Sequence, residues 1–230
     1  RACYLGGMKA VVCKEHGPPE KLVLEETQSR PLADGELRVA IHAAGVNFPD
    51  TLIIQNLYQF KPELPFSPGG ECAGVIKAKG AKVGHLNIGD RVLAFTGWGG
   101  FSQLAVADAR AAVPMPEGLD FVTASAFVMT YATSYHALAD RAAMQAGETL
   151  LVLGAAGGVG LTAVEIGKLM GATVIAHARG ADKLKVAQAA GADHLVDDGE
   201  DLRQRLLDLG GADVVYDAVG GAPFKAAFRA

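Results

Sequence analysis

Four glycines fall within seven residues in Gly154-Ala155-Ala156-Gly157-Gly158-Val159-Gly160. Glycine at such density permits a tight turn, and a backbone without side chains lets a pyrophosphate come close. The unpaired N–H groups and the dipole at the start of a following helix then hold the negative charge. The cluster has the right flanks. It follows the continuous apolar run 149–153, a buried parallel strand by pattern, and precedes a helical pattern to about Met170. A tight strand–helix joint alone would ask for fewer bare positions, so Gly154, Gly157, Gly158, Val159 and Gly160 read as a dinucleotide loop.

The end of the next strand discriminates between dinucleotides. An NAD site places an acidic side chain there, about 20 residues beyond the glycines, to hold the ribose 2′-hydroxyl. This chain reads His177-Ala178-Arg179-Gly180-Ala181-Asp182-Lys183, with alanine where the acid is expected. Arg179 and Lys183 can pair with a 2′-phosphate instead, which favours NADP as cofactor. The other reading of Arg179 is a solvated surface charge.

These residues need elements to position them, and the two halves of the chain supply different kinds. Residues 121–141 read as one alanine-rich helix. Beyond it, strands at 149–153, 173–176, 194–196 and 213–218 alternate with helices at 181–190, 201–209 and 222–229. Such alternation means βαβ units and a parallel sheet. Before Pro116 the chain is a series of short β-type runs (9–14, 36–43, 74–78, 90–95, 102–107) with one short helix at 49–56. That texture reads as an all-β barrel or sandwich. The expected organisation is residues 1–7 as leader or cloning remnant, 8–120 as the β domain and 121–230 as a dinucleotide-binding domain.

Composition sets outer limits. The 230 residues suffice for one large or two modest domains, and half are apolar and a fifth charged, which excludes disorder. A net charge of −4 argues against a nucleic-acid partner. No apolar run approaches a membrane span, and Cys3, Cys13 and Cys72 form no ligand or disulfide spacing. A cytoplasmic protein with buried thiols and no membrane partner is expected.

The ordered motifs resemble the medium-chain dehydrogenase/reductase superfamily and, within it, the zinc-free quinone oxidoreductases. The resemblance is carried by Ala44-Gly45-Val46-Asn47-Phe48-Pro49-Asp50, Pro68-Gly69-Gly70-Glu71-Cys72-Ala73-Gly74-Val75, Gly89-Asp90-Arg91-Val92, Gly99-Gly100-Phe101-Ser102, the segment Thr130 to Leu138, and the glycine loop. It implies a GroES-like β-barrel domain followed by a Rossmann doubly wound parallel sheet, with the active site in the cleft between them. It also implies NADPH-dependent hydride transfer to quinones or α,β-unsaturated carbonyls, and a homodimeric parent. The alternative is a nucleotide-binding structural or regulatory, crystallin-like protein, or an inactive fragment, without turnover.

In the zinc-dependent branch, ligands would stand where this chain has Asn47, Gly70 and, nearby, Met129. These are not zinc donors, so no metal is expected. By resemblance Asn47 is the polar contact in the cleft, for substrate and cofactor, and Thr133 lies beside the nicotinamide. Tyr58 reads equally as a substrate-facing hydroxyl or a half-buried loop aromatic. Glu71 reads as structural, capping backbone or pairing with a base, and His136 as a packing residue within its helix. The aromatic and apolar residues of 48–61 and 96–101, among them Phe48, Ile53, Leu57, Phe60 and Trp98, suit a flat neutral acceptor better than an acyl-CoA.

Two departures stand out. Where relatives place a tyrosine near the 2′-phosphate, this chain has Asp197-Asp198, whose charge is unfavourable there. A complete Rossmann sheet has six strands and only four are counted, so the sheet is expected to be C-terminally truncated, with 213–218 as an exposed edge.

Overall fold

The computed structural model describes residues 7–230, so Cys3 and most of the expected leader lie outside the described residues. The chain divides between Met129 and Thr130 into two compact units.

The first unit contains β1 (Gly7–Val12), β2 (Val23–Gln28), β3 (Glu36–Gly45), the short helix α1 (Phe48–Ile53), β4 (Glu71–Lys79), β5 (Arg91–Phe95), β6 (Leu104–Asp108) and β7 (Ala112–Pro114). Strands β1 and β2 pair antiparallel, and the remaining five form an antiparallel sheet in the order β6-β3-β4-β5-β7. The backbone joins these two layers where Val11 N–H donates to Phe101 O and Gln103 N–H to Lys9 O. Alternation supplies the core: Leu37, Val39, Cys72, Ile76, Leu86, Val92 and Ala94 are buried together. The sequence pattern misses β2 and β7. Val23 and Leu24 of β2 are exposed, so its apolar residues give no alternating signal, and β7 has three residues.

The second unit contains most of α3 (Val128–Tyr135), then β8 (Thr149–Leu153), α4 (Gly158–Leu169), β9 (Thr173–Ala178), α5 (Ala181–Ala189), β10 (His194–Asp197), α6 (Leu202–Asp208), β11 (Val214–Asp217) and α7 (Gly221–Ala227). The strands are parallel in the order β10-β9-β8-β11, and the expected alternation is present throughout. Leu150 to Leu153 are fully buried because helices cover both faces of their strand: Leu150 and Val152 pack with Ala163, Val164 and Ile166, and Leu151 and Leu153 pack with Leu202 and Leu206. Strand order reverses between β8 and β11, and ligands bind such sheets at the carboxyl ends of the strands where that happens. The glycine loop sits there. β11 is an edge strand, with Val215 exposed, as expected. Among the described residues no helix is long and apolar enough to cross a membrane.

The single helix expected over residues 121–141 is three pieces: α2 (Phe121–Ser125), α3, and a π-helical segment, His136–Arg141. The break has a tertiary cause, because the buried Glu71 carboxylate accepts the N–H of Met129 in the first turn of α3 at 2.9 Å. His136 is also corrected: it is exposed and pairs with Asp140 at 2.8 Å rather than packing inward.

Candidate functional site

The glycine loop is built by its neighbours. His177 O, at the end of β9, accepts N–H bonds from both Gly154 and Ala155 at 3.0 Å, which ties the loop to the adjacent strand. Gly154 has φ +75°, and a Cβ there would lie 2.7 Å from Val219 Cγ2. A Cβ on Gly160 would lie 2.2 Å from Gly154 O, so the helix can pack this close to the loop only without a side chain. Gly157 and Gly158 are exposed, and Gly157 stands at the N-cap of α4 with no side chain to satisfy the first-turn N–H groups. An anion fits this cradle: open backbone donors and the positive end of a twelve-residue helix face solvent together. Val159 is half-buried, and its carbonyl accepts from Ser134 Oγ at 2.9 Å.

That contact places α3 against the loop. Ser134 Oγ also meets Thr162 Oγ1 at 2.8 Å and Tyr216 Oη at 3.1 Å, and Tyr131 donates its phenol to Glu165 of α4. Hydrogen bonding to that carboxylate, with burial, pushes the Tyr131 phenol up to about 12. Thr133, next to Ser134, is exposed. The hydroxyl network of Ser134, Thr162 and Tyr216 carries no local sequence signal, since its members are far apart in the chain.

At the ends of β9 and β10 the charges pair. Arg179 donates through Nε to Asp198 Oδ2 at 2.9 Å, and its side chain is 83% exposed. Asp198 Oδ1 lies 3.6 Å from Nε2 of buried His177. Burial keeps the His177 imidazole below its ordinary range, with Asp198 and Asp197 pulling the other way. Asp197 accepts N–H bonds from Gly180 at 2.7 Å and Gly199 at 3.0 Å, which hold its carboxyl below the usual range. Lys183 is exposed on α5 with no partner among the described residues. The expected basic pair is therefore present, with one member already holding a carboxylate.

In the first unit, Asn47 stands between β3 and α1. Its Nδ2 donates to Glu71 Oε1 at 2.8 Å, and its backbone N–H donates to Asp50 Oδ2 at 2.8 Å. Both carboxyl groups are buried, and desolvation raises both above the ordinary carboxylate range, against the hydrogen bonds that favour charge. Gly45 makes the room, since a Cβ there would lie 2.4 Å from Glu71 Oε1. Glu71 is the backbone cap expected of it, without a basic partner among the described residues. A Cβ on Gly70 would lie 3.8 Å from both Met129 Sδ and Asp50 Oδ1, so the positions aligned with zinc ligands do gather. Zinc does not fit them. They offer an amide whose nitrogen faces Glu71, no side chain and a thioether, while both nearby carboxylates are taken by N–H donors.

Tyr58 packs edge-on to Phe60, with ring centroids 5.6 Å apart, and against the buried Cys13, Ile53, Ile54 and Phe66; its hydroxyl has no partner among the described residues. The aromatic set expected to line one wall is divided. Ile53 is core, Phe48 and Leu57 are exposed, and Phe60 and Trp98 line a first-unit cavity of about 830 Å³ that includes neither Asn47 nor Tyr58.

With this geometry in hand, comparison with known proteins is decisive. Residues 33–117 match the alcohol dehydrogenase GroES-like domain profile, and residues 158–230 the profile described as zinc-binding dehydrogenase. A probable oxidoreductase from Mycobacterium abscessus is 36% identical, with a TM-score of 0.90 over 98% of this chain and 72% of its own. The Escherichia coli quinone oxidoreductase crystallised with NADPH is 33% identical, with a TM-score of 0.89 over 96% of this chain and 69% of its own. The chain belongs to the zinc-free quinone oxidoreductase family. Its fold is accordingly GroES-like plus Rossmann-like. A quinone oxidoreductase-like protein 2 homolog from Nematostella vectensis is 40% identical over 224 residues, 94% of this chain. The chain spans 60% of that relative's length.

Proposed function

We propose that this member of the quinone oxidoreductase family transfers a hydride from NADPH to small quinones or α,β-unsaturated carbonyl compounds without a metal. The observation that carries this is the loop at Gly154–Gly160, with bare glycines against an uncapped helix N-terminus. Bound NADPH supplies the hydride. The amides of Gly158, Val159 and Gly160 hold its pyrophosphate, Gly154 and Gly157 keep the backbone clear, and Arg179 and Lys183 receive the 2′-phosphate. Arg179 spends only Nε on Asp198, which leaves the terminal fork of its guanidinium for a phosphate. Thr133 stands beside the nicotinamide, as the family resemblance implies. An E. coli relative with NADPH bound supports this cofactor choice.

On the acceptor side, Asn47 and the unpaired hydroxyl of Tyr58 donate to the oxygen that gains charge. A quinone or enone suits this modest donor set, because its reduced oxyanion is already delocalised; a simple alkoxide would ask for a Lewis acid. In the family pattern the working form of the full-length protein is a homodimer.

The test is steady-state NADPH consumption by the purified full-length protein with a benzoquinone, a medium-length enal and crotonyl-CoA. Turnover with the first two and little with the CoA ester is the expected result. Preference for the CoA ester overturns the substrate class, and saturable NADPH binding without turnover on any acceptor favours a nucleotide-binding protein that is not a reductase.

A further inference from the structure

Ala178 occupies the position where a site for NADH would carry an acid, yet a carboxylate is present at that strand end all the same. Asp198 reaches it from the turn after β10. Its backbone N–H donates to Ala178 O at 3.1 Å, fixing the residue beside the end of β9, and its side chain then takes Arg179 Nε at 2.9 Å. Asp197, the other acid of this turn, is committed elsewhere, because its two oxygens accept the Gly180 and Gly199 N–H groups. Glu200 is likewise occupied, by the N–H of Asp197 and by Arg205. Of the acids here, Asp198 alone binds the arginine that would meet a 2′-phosphate.

Resting on the dinucleotide reading above, we propose that Asp198 is a specificity-determining residue that levels the choice between NADPH and NADH. It supplies, from the turn after β10, the acceptor missing at Ala178, and it stands as a like charge beside any phosphate bound to Arg179. Two effects of removing that carboxylate oppose each other for NADPH. Arg179 loses an orienting bond, but exposed ion pairs of this kind contribute little. The phosphate loses a repulsive neighbour while carrying close to two negative charges, which across the width of the guanidinium, roughly 8 Å in a water-like medium, corresponds to about a fivefold change in affinity. Repulsion wins, so removing the carboxylate strengthens NADPH binding. For NADH the sign reverses, since the ribose hydroxyl loses an anionic acceptor and gains nothing.

The experiment titrates NADPH and NADH separately into the wild-type chain, Asp198→Asn and Arg179→Ala, following nucleotide fluorescence, at one fixed ionic strength. Wild type is expected to bind both dinucleotides. Asp198→Asn should tighten NADPH by about fivefold and weaken NADH, and Arg179→Ala should weaken NADPH by about tenfold and spare NADH. Unchanged or weakened NADPH binding in Asp198→Asn overturns the proposal, the latter making Asp198 only an orienting partner of the arginine. A second measurement needs no nucleotide. The Arg179 Nε–H signal in a nitrogen-15 spectrum should be protected from exchange in the wild type and lose that protection in Asp198→Asn. An unprotected wild-type signal removes the premise. A wild-type chain that keeps the protected signal yet binds neither nucleotide refutes the dinucleotide reading instead, so the two failures are separable.

Discussion

Substituting the two glycines of the α4 first turn separates packing from ligand binding. At Gly160 an added Cβ meets backbone on every side: Gly154 O at 2.2 Å, and Ala155 Cα and Gly154 C at 2.9 Å. Ordinary contact begins near 3.4 Å, so loop and helix must part by about 1 Å or more. That movement also pulls on the bonds from Gly154 and Ala155 to His177 O. Overpacking against immovable atoms costs about 1–3 kcal/mol, and strained bonds place this case at the upper end. For a unit of about 100 residues, 3 kcal/mol lowers the melting midpoint by roughly 10–20 °C. At Gly158 the only neighbour among the described residues is Thr130 Cγ2 at 3.4 Å, so alanine is tolerated and gains up to about 1 kcal/mol in helix propensity. Its methyl nevertheless projects from an exposed position into the space proposed for pyrophosphate. Circular-dichroism melts together with NADPH titrations should therefore show Gly160→Ala unstable, and Gly158→Ala stable but binding at least about tenfold more weakly. A Gly158→Ala protein that binds NADPH like wild type, or a Gly160→Ala protein with an unshifted midpoint, refutes the reasoning.

Other perturbations probe the remaining features. Leu151→Ala empties a fully buried site in the centre of the parallel sheet and should cost about 2–5 kcal/mol in urea unfolding. Glu71→Ala leaves the N–H groups of Asn47 and Met129 without their acceptor and should destabilise the first unit by about 2–4 kcal/mol, read from its unfolding transition. The His177 imidazole has its folded value below 6.5, so the unfolded chain binds the proton more readily. Its contribution to stability is complete above pH 6.5 and falls as pH drops from there toward the folded value. Unfolding midpoints between pH 5 and 7 should fall more steeply for wild type than for His177→Gln. Metal analysis of purified protein should find zinc well below one per chain, and a stoichiometric amount would contradict the alignment of Asn47 and Gly70 with lost ligands.

Much of the second unit was legible because its signals are local. A continuous apolar strand, a glycine loop and a helical period follow one another within residues 149–169, and no distant partner is needed to read them. The same holds for Arg179 and Lys183 as basic residues after β9. What the sequence could not show was pairing across the fold. The helix break before α3 depends on Glu71, 58 residues away, and the restraint of Arg179 depends on Asp198 in the turn after β10. His136 looked internal because its neighbours are apolar, but its ring turns outward to Asp140. For the aromatic and apolar residues of 48–61 and 96–101, composition says nothing of direction. Ile53 packs inward while Phe48, five residues earlier, is exposed.

Everything proposed for this chain depends on the loop before α4 holding the pyrophosphate of a nicotinamide dinucleotide. Titrating NADPH into the nitrogen-15-labelled chain tests it residue by residue through the backbone amide signals of the loop. The prediction is that Gly158, Val159 and Gly160 shift most, together and saturably, with smaller changes at Arg179. Signals at these three residues that stay fixed at millimolar NADPH, or a largest response elsewhere in the chain, would contradict it.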